Sequence, residues 1–388
     1  MVHLLLVIIY ISFVSLGLPD ALLGAAWPSM SAQFEVPVSY AGAISMIIAV
    51  GTVVSSLLSE RMTKWLGPGN VTAISVAMTA LAIFGFSLSD AYWMLLAWAV
   101  PYGLGAGSVD ASLNNYVALH YASRHMSWLH CMWGLGASLG PYILGYALSG
   151  GLPWNMGYRY IAFLQIVLTA LLVFCIPMWK NGTCGAAGEN DAPGKPLGLR
   201  QIAAIPGAKE VMLAFFCYCA AEQTAILWGS SYLFLHIGMD EQTAAGFGSL
   251  FLIGLTAGRG LSGFLTYKLS DIRMIRLGQG IMVLGIGVMV LPLGQWSAMI
   301  GLMIIGLGCA PIYPCIIHST PVHFGPEKSQ ALIGVQMASA YVGIVAMPPL
   351  FGIIANHITV SLLPAYLAVI TVLMIVMCER LNKKCAHA

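Results

Sequence analysis

Long apolar runs, each about twenty residues in length, most constrain what this chain can fold into. Hydrophobic residues make up 59% of the sequence and charged residues 8%, whereas soluble domains carry roughly 45–50% and 25%. No water-soluble domain buries so much apolar surface, so we expect the runs to be membrane-spanning helices. A soluble enzyme and a disulfide-stapled secreted domain are excluded. The net charge of +2 provides no basic face for nucleic acid.

Glycine, proline and charged residues divide the apolar runs into twelve predicted membrane-spanning helices. The first run continues through Pro19 and Asp20, and it lacks the basic start and small-residue cleavage site of a signal peptide. We therefore keep it as a helix. The predicted spans lie near residues 4–27, 40–59, 71–89, 93–119, 126–149, 159–179, 210–236, 243–267, 274–292, 297–320, 329–356 and 360–378.

The positions of Lys and Arg predict the orientation of these helices. With the N-terminus in the cytoplasm, all of the 16 Lys and Arg residues except Arg159 and Arg259 fall in cytoplasmic loops or in the tail. This is the positive-inside pattern, and it predicts a multi-pass protein with both termini in the cytoplasm.

A stretch rich in Gly, Pro and charge at residues 180–209 divides the chain into halves of similar length. We interpret it as a flexible cytoplasmic linker between an N-terminal six-helix bundle, residues 1–179, and a C-terminal one with a short tail, residues 210–388. An internal repeat supports two halves, and a single twelve-helix bundle with a long loop is the alternative. The repeat aligns Gly103, Leu104, Gly105 and His120 with Gly306, Leu307, Gly308 and His323.

The segments GLPDALLGAAWP and GLGAGSVDASLNNY, together with the repeat and the number of spans, resemble the major facilitator superfamily, and within it the fucose permease branch. The twelve spans, the repeat and the central loop match the superfamily as a whole. The branch is indicated by GLPDALLGAAWP in helix one, GLGAGSVDASLNNY in helix four, WLHCMWGLGASLGP in helix five, and QTAILW and GFGSLFLIGLTAGR in helices seven and eight. The resemblance implies a proton-coupled sugar symporter of a bacterial inner (plasma) membrane. Its fold is an all-α membrane protein of twelve transmembrane helices in two pseudo-symmetric six-helix bundles.

Three acidic residues, Asp20, Asp110 and Glu222, lie well inside predicted spans one, four and seven. An ionised side chain at the bilayer centre costs about 2.5–3.5 kcal/mol, so such residues normally face a cavity or a partner. A carboxyl group whose hydration alternates can take up and release a proton near neutral pH. The alternative is that each acid is a hydrogen-bonded joint between helices. The resemblance implies proton movement through Asp20 and Asp110, although the branch carries a Glu at the second position.

Glu222 has no clear counterpart in the branch. It is predicted to be a second proton site, an acceptor for a sugar hydroxyl, or the counter-charge of a cationic substrate. No basic partner is expected beside the three acids, since the span count places Arg259 near the cytoplasmic end of helix eight. Anions need cavity cations to replace their lost hydration, so neutral sugars and polyols, or cations, remain as substrates.

Sugar sites combine aromatic rings, which cover the C–H face of the sugar, with amide, carboxyl and imidazole groups for its hydroxyls. For any single aromatic residue, packing against lipid is the alternative. The candidates on predicted cavity helices are Trp27, Asn114, Asn115, Gln223, Trp228, Tyr313 and His318, with His130, Trp133 and Gln336 on helices five and eleven.

His130 and Trp133 stand one helical turn apart. By resemblance, these positions correspond to a Gln and an Asn that contact sugar in the branch. An indole cannot supply the oxygen of Asn, and Gly17 stands where the branch has a further Asn. We therefore expect a sugar-like substrate rather than L-fucose itself. His130 is also a candidate proton relay.

Tryptophan and proline positions give two further expectations. Tryptophans near span ends are predicted to anchor at the membrane interface, namely Trp65, Trp93, Trp154, Trp179 and Trp296. Prolines inside spans are predicted to permit bends, namely Pro19, Pro101, Pro141, Pro311, Pro314, Pro348 and Pro349.

These observations predict a secondary active transporter that moves a small neutral solute, most simply a sugar, together with protons by alternating access. The alternative is a proton-coupled antiporter that exports a cationic or amphipathic compound, with Glu222 as the attracting charge. An enzyme is not expected, because no metal-ligand spacing or nucleophile elbow occurs. Expected partners are the lipid bilayer, a small-molecule substrate and protons, with sodium as the alternative coupling ion. We expect no cofactor, no metal ion and no nucleic acid, and we expect a monomer.

Overall fold

The structure, a computed structural model, describes residues 2–37, 40–182, 197–239, 244 and 250–386. Within these ranges the chain is all-α, as predicted, and contains no strand. The helices are α1 (Val2–Gly17), α2 (Leu22–Gln33), α3 (Ala41–Leu66), α4 (Pro68–Ser87), α5 (Tyr92–His120), α6 (Ser123–Ser149), α7 (Trp154–Gly182), α8 (Leu199–Ala204), α9 (Ala208–Leu235), α10 (Leu250–Leu265), α11 (Asp271–Met289), α12 (Gln295–Cys309), α13 (Ile312–Phe324), α14 (Pro326–His357), the 3₁₀-helix η1 (Val360–Leu362) and α15 (Leu363–Ala386).

Nine segments of the described chain are helical, long and apolar enough to cross a membrane. Two of them join consecutive helices: Leu4–Gln33 contains α1 and α2, and Gln295–Phe324 contains α12 and α13. α5 and α6 are outside this set although they have 29 and 27 residues; both contain several Gly, Trp and Tyr residues and a Pro, in addition to polar residues such as Asp110, Asn114 and His130. α10 is apolar but shorter. With these three helices, the described segments follow the order of the predicted spans.

Two of the predicted segments fall partly outside the described residues. The predicted span 243–267 is described at 244 and from 250 onward, where it forms α10. The predicted linker 180–209 is described at its beginning and again from residue 197. Its later part contains the short helix α8, in which Ile202 is buried, so this part of the linker is ordered against the protein.

Prolines interrupt two of the spans and leave others continuous. The turn between α1 and α2 contains Pro19, and Pro311 lies between α12 and α13. A proline lacks the N–H that continues the helical hydrogen-bond ladder, so a span ends and restarts there most easily. Pro101 and Pro141 remain inside α5 and α6.

Glycine and proline together produce the sharp turns between α3 and α4 and between α13 and α14. Gly67 and Gly325 end the first helix of each pair with φ of 80° and 86°. A residue with a side chain is strained at such φ values. Pro68 and Pro326 then occupy the first helical position, where a missing N–H costs nothing.

The chain divides into two compact units. Unit 1 contains Met1–Tyr116 and Leu129–Pro196, and unit 2 contains Val117–Trp128 and Leu197–Ala388. In unit 1, α4 packs along α7. In unit 2, α9 packs against α14 and α15, and α12 packs against α10 and α11. The connection between α5 and α6 therefore belongs to unit 2, although most of both helices belongs to unit 1.

The predicted interfacial tryptophans fall into two groups. Trp65, Trp93 and Trp296 are 84%, 66% and 63% exposed, as expected for anchors. Trp154 and Trp179 are buried, and for them the prediction is wrong. Trp154 packs on Tyr158, one turn along α7, and on Phe34, while Trp179 packs on Tyr116 of α5. The contacts with Phe34 and Tyr116 join separate parts of the chain, so they are not visible in a single apolar run. Trp154 also donates a hydrogen bond from its indole N–H to Gln33.

Candidate functional site

Asp20 lies in the interruption between α1 and α2, where its side chain remains exposed. Its carboxylate accepts a hydrogen bond from the Tyr102 hydroxyl on α5 at 3.1 Å and another from Trp133 Nε1 on α6 at 2.8 Å. Tyr102 is buried and Trp133 is half-buried. We call these three residues the Asp20 cluster. The turn at Pro19 places an acid from the first span between two other helices while leaving it accessible.

Asp110 forms a second, more buried cluster with Asn114 and His130. The Asn114 amide Nδ2 donates to Asp110 Oδ1 at 2.7 Å, and Asn114 Oδ1 is 3.0 Å from His130 Nε2. An amide oxygen only accepts, so His130 Nε2 donates this bond and carries a proton. The three residues are 6%, 0% and 5% exposed. We call them the Asp110 cluster.

α6 connects the two clusters of unit 1. His130 and Trp133 lie one turn apart on this helix, as predicted. His130 is bonded to the Asp110 cluster, whereas Trp133 is bonded directly to Asp20. A shift of α6 along its axis therefore changes the hydrogen bonding of both acids.

The donors described for these two acids are neutral groups: a phenol, an indole and an amide. A carboxylate that meets neutral donors can take up a proton without leaving a buried cation unpaired. Protonation does change the geometry, because a protonated carboxyl donates through one of its oxygens. The arrangement is therefore chemically suited to a carboxyl whose protonation changes what its neighbours contact.

Glu222 differs from the two acids of unit 1, because it has a cationic partner. Glu222 Oε1 on α9 lies 3.4 Å from Arg259 Nη2 on α10, and both side chains are largely buried, at 13% and 4% exposed. The expectation that no basic residue accompanies Glu222 is therefore wrong. The sequence did indicate this pair, because it has two opposite charges inside consecutive predicted spans. The predicted boundaries placed Arg259 near the cytoplasmic end of its helix, so it was not matched with Glu222.

Tyr313 lies in an aromatic group next to this ion pair. Its ring centroid is 4.6 Å from Phe215 and 5.8 Å from Tyr218, which precedes Glu222 by one helical turn. Its hydroxyl donates to Met337 Sδ at 3.2 Å. The predicted candidate Tyr313 is thus half-buried in the core of unit 2, close to the charged pair.

Two further candidates of unit 2 form links between helices. The indole N–H of Trp228 on α9 donates to the Pro348 carbonyl on α14 at 3.0 Å, and its ring packs on Phe351. Gln336 is fully buried and bonds to the Thr320 hydroxyl at 3.0 Å, which joins α14 to α13. These contacts hold the proline-containing helix α14 in place.

The remaining candidates occupy different environments. Trp27 lies in the hydrophobic core of unit 1 and is 4% exposed. Asn115 is buried on α5, and Gln223 is half-buried on α9 beside Glu222. His318 lies in unit 2, where it bonds to Asp271 and to a backbone carbonyl. The structure thus brings five candidates into the two clusters of unit 1, namely Asp20, Asp110, Asn114, His130 and Trp133.

Tyr102, which completes the Asp20 cluster, is not among the site residues predicted from the sequence. Tyr102 and Asp110 are eight residues apart on α5, a spacing that recurs on one broad helix face. This spacing was the available signal. Tyrosines also occur at many structural positions in this chain, so the spacing alone did not distinguish this one.

The fold and the polar clusters inside its spans define a multi-pass membrane transport protein. The family model described as Major Facilitator Superfamily matches residues 9–317 and 211–383, and the chain belongs to this family. The glucose/mannose transporter GlcP of Bacillus subtilis is 22% identical over 79% of this chain and 77% of its own length. The bypass of stop codon protein 6 of Saccharomyces cerevisiae is 23% identical over 69% of this chain, which spans 58% of that protein.

Solved structures of FucP, the fucose:proton symporter of E. coli, are similar over the whole fold. The outward conformation gives a TM-score of 0.78 at 16% identity, and the N162A variant gives 0.72 at 15%. Each comparison covers 96% of this chain and 98% of FucP. At this level of identity the likeness defines the fold alone.

Proposed function

We propose that this member of the major facilitator superfamily is a proton-coupled symporter of a small neutral solute, a sugar in particular, and that it works by alternating access. The observation that carries the proposal is the Asp20 cluster. It places an accessible carboxyl group in a broken span, bonded to the indole of Trp133 and the hydroxyl of Tyr102. One carboxyl group, one aromatic face and one hydroxyl are the groups that a sugar site needs.

The two acids of unit 1 divide the work in this proposal. Asp20 is exposed, so its carboxyl group can exchange a proton with water and can accept a hydrogen bond from a substrate hydroxyl in place of water. Asp110 is buried and bonded to Asn114. Protonation of Asp20 weakens the hydrogen bond from Trp133, because a neutral carboxyl group is a poorer acceptor than a carboxylate, and this leaves the indole ring freer to cover the sugar. Protonation of Asp110 changes the bond to Asn114 and, through Asn114, the bond to His130. Both changes act on α6, which gives a route from proton uptake to helix movement.

The charge of Glu222 in unit 2 is matched by Arg259, and this bears on the choice between a neutral and a cationic substrate. An antiporter for a cationic compound needs an acid that is available to the substrate cation. The ion pair weakens the case for Glu222 in that role. The names of the relatives support the same substrate class, since one is a glucose/mannose transporter and a structural neighbour is a fucose:proton symporter.

Transport by purified protein in proteoliposomes tests the proposal, with radiolabelled glucose, mannose and fucose as the probes. An inward proton gradient is expected to drive uphill uptake of at least one of these sugars. Asp20→Asn and Asp110→Asn are expected to abolish uphill uptake, because an amide cannot change its protonation. Asp110→Asn is expected to retain exchange of labelled for unlabelled sugar, since Asp110 is buried away from the accessible Asp20 cluster.

Asp90→Asn is the matched control, because Asp90 is an exposed acid in the turn between α4 and α5. It is expected to transport like the parent protein. Normal uphill uptake by both Asp20→Asn and Asp110→Asn contradicts the proton-coupling role. If uptake depends on a sodium gradient and not on the proton gradient, the coupling ion is sodium and the proton-coupling proposal is wrong. If the protein instead exports a cationic compound in exchange for protons, it is an antiporter and the symport proposal is wrong.

A further inference from the structure

A half-buried polar group in unit 2 contains a histidine whose two ring nitrogens both meet acceptors. His318 Nδ1 on α13 is 2.6 Å from Asp271 Oδ2 at the start of α11. His318 Nε2 is 3.0 Å from the backbone carbonyl oxygen of Tyr121. The Ser123 hydroxyl, at the first residue of α6, donates to the other carboxylate oxygen of Asp271. His318 and Asp271 are 17% and 14% exposed.

The number of protons in this group follows from donor and acceptor chemistry. A carbonyl oxygen carries no hydrogen, so the bond to Tyr121 requires a proton on His318 Nε2. The contact between His318 Nδ1 and Asp271 Oδ2 requires a second proton, on either the nitrogen or the oxygen. A separated carboxylate and a neutral imidazole hold one proton between them. The pair in this geometry therefore holds one proton more than the same two groups held apart.

The extra proton is linked to the position of one segment of the chain. Tyr121 and Ser123 belong to Val117–Trp128, the connection between α5 and α6, which forms part of unit 2. We call this segment the α5–α6 connection. When the α5–α6 connection moves away from α11 and α13, His318 loses its contact with the Tyr121 carbonyl and Asp271 loses its contact with the Ser123 hydroxyl. By thermodynamic linkage, anything that removes the proton weakens the attachment of the segment, and detachment of the segment favours release of the proton.

We propose that His318 and Asp271 form a proton-binding site, distinct from the acids of unit 1, that holds the α5–α6 connection in place. Other titratable groups near Asp271 are the Cys315 thiol and the His323 imidazole, both on α13. The Ser123 hydroxyl is also 4.0 Å from Cys315 Sγ. From the connection itself, the Arg124 guanidinium lies 4.8 Å from the Tyr267 ring centroid.

The site matters for transport because of what the connection joins. It links α5, which carries Asp110, to α6, which carries His130 and Trp133. The predicted orientation places it on the cytoplasmic side. If the proposed symport is correct, release of the connection and loss of a proton to the cytoplasm occur together. The proton site itself does not depend on the identity of the substrate.

Hydrogen–deuterium exchange of the purified protein, without substrate, tests the proposal. Amide exchange of the α5–α6 connection is measured at about pH 5.5 and about pH 8.5, on either side of the ordinary histidine range, and corrected for the intrinsic pH dependence of exchange. In the parent protein we expect the connection to exchange about tenfold faster at the higher pH. In His318→Gln this pH dependence is expected to disappear. The assay needs no transport, so its outcome is separate from the test of the symport mechanism.

Three further variants distinguish a proton site from a structural contact. Asp271→Asn is expected to lose the pH dependence like His318→Gln, and it provides the same test if His318→Gln does not fold. Ser123→Ala is expected to exchange faster at both pH values and to keep the pH dependence. His323→Gln, which removes the other imidazole near Asp271, is expected to match the parent. Equal protection of the parent at the two pH values overturns the proposal, and so does a pH dependence that persists in His318→Gln or is lost in Ser123→Ala.

Discussion

The indole of Trp133 is the group through which α6 contacts Asp20. An indole N–H only donates, so its hydrogen bond requires an oxygen lone pair of the carboxyl group. By resemblance, the fucose permease branch has an Asn at this position, and the amide of an Asn can both donate and accept. The substitution of an amide by an indole therefore restricts this residue to a donor role and adds an aromatic face. This is the clearest residue-level departure from the resemblance on which the sugar proposal partly rests.

Replacement of Trp133 by Phe separates these two contributions. Trp133→Phe keeps an aromatic ring and removes the donor to Asp20, a hydrogen bond to a charged group that is worth about 1.5–3 kcal/mol. We expect the pH profile of sugar uptake to shift by about one pH unit or more, because the charged form of Asp20 loses a hydrogen-bond donor. Trp93→Phe, at a tryptophan that is 66% exposed, is the control and is expected to have no effect. An unchanged pH profile in Trp133→Phe argues against a role for this bond in coupling.

The ion pair of Glu222 and Arg259 leads to a stability prediction at the same scale. Removal of one partner of a buried pair leaves the other charge uncompensated, which costs about 3–5 kcal/mol. Glu222→Gln is expected to lower the thermal unfolding temperature of the purified protein clearly, because Arg259 is 3% exposed. Glu222→Gln combined with Arg259→Gln is expected to recover part of the loss. If Glu222→Gln is as stable as the parent, the pair contributes little and Glu222 is available for another role.

The contact between α1 and α6 holds the Asp20 cluster together at the scale of the elements. A Cβ atom at Gly136 of α6 would lie 2.0 Å from the Val14 carbonyl oxygen of α1, and one at Gly140 would lie 1.9 Å from the Leu18 carbonyl oxygen. These distances are far below van der Waals contact. The two backbones therefore touch directly, and small residues permit this approach between spans. The approach keeps Asp20, just beyond α1, within hydrogen-bond distance of Trp133 on α6.

Substitution of these glycines tests the contact. Gly136→Ala is expected to destabilise the protein by about 2 kcal/mol or more, because the added methyl group meets backbone that cannot rotate away. The measurement is the thermal unfolding temperature together with the yield of folded protein. Gly145→Ala on the same helix is the matched control, since no atom lies within 4 Å of its added Cβ. Equal losses in the two variants indicate an effect of helix composition rather than of the contact with α1.

At the scale of the whole molecule, the membrane fold was readable from the apolar runs. The hydrophobic effect and the absence of water from the bilayer core act on each run separately, so a span needs no partner to be recognised. The two helices that carry most of the candidate site of unit 1 had a weaker signal of this kind. α5 and α6 carry the Asp110 cluster together with Tyr102 and Trp133, and they are not among the segments apolar enough to be counted as spans, yet glycine, proline and charged residues at their ends still delimited them in the prediction.

The candidate site was predictable in its acids and less so in its partners. Asp20 and Asp110 were found because an acid inside an apolar run is costly and conspicuous. The contact of Trp133 with Asp20 and the role of Tyr102 depend on how three helices are rotated against one another. The sequence periodicity defines the faces of one helix but not which face meets which neighbour. The same limit explains why Trp154 and Trp179 were assigned to the membrane interface and are in fact buried in unit 1.

The chain by itself determined its solvent, its helical class and the presence of acids within its spans, because each of these is a local property of composition and period. Only the tertiary structure decided which charges are matched. It paired Glu222 with Arg259, left Asp20 to neutral donors and joined His318 to Asp271. Hydrogen bonds and ion pairs act over a few ångströms between residues that are far apart in sequence, so only the packing of the helices determines them.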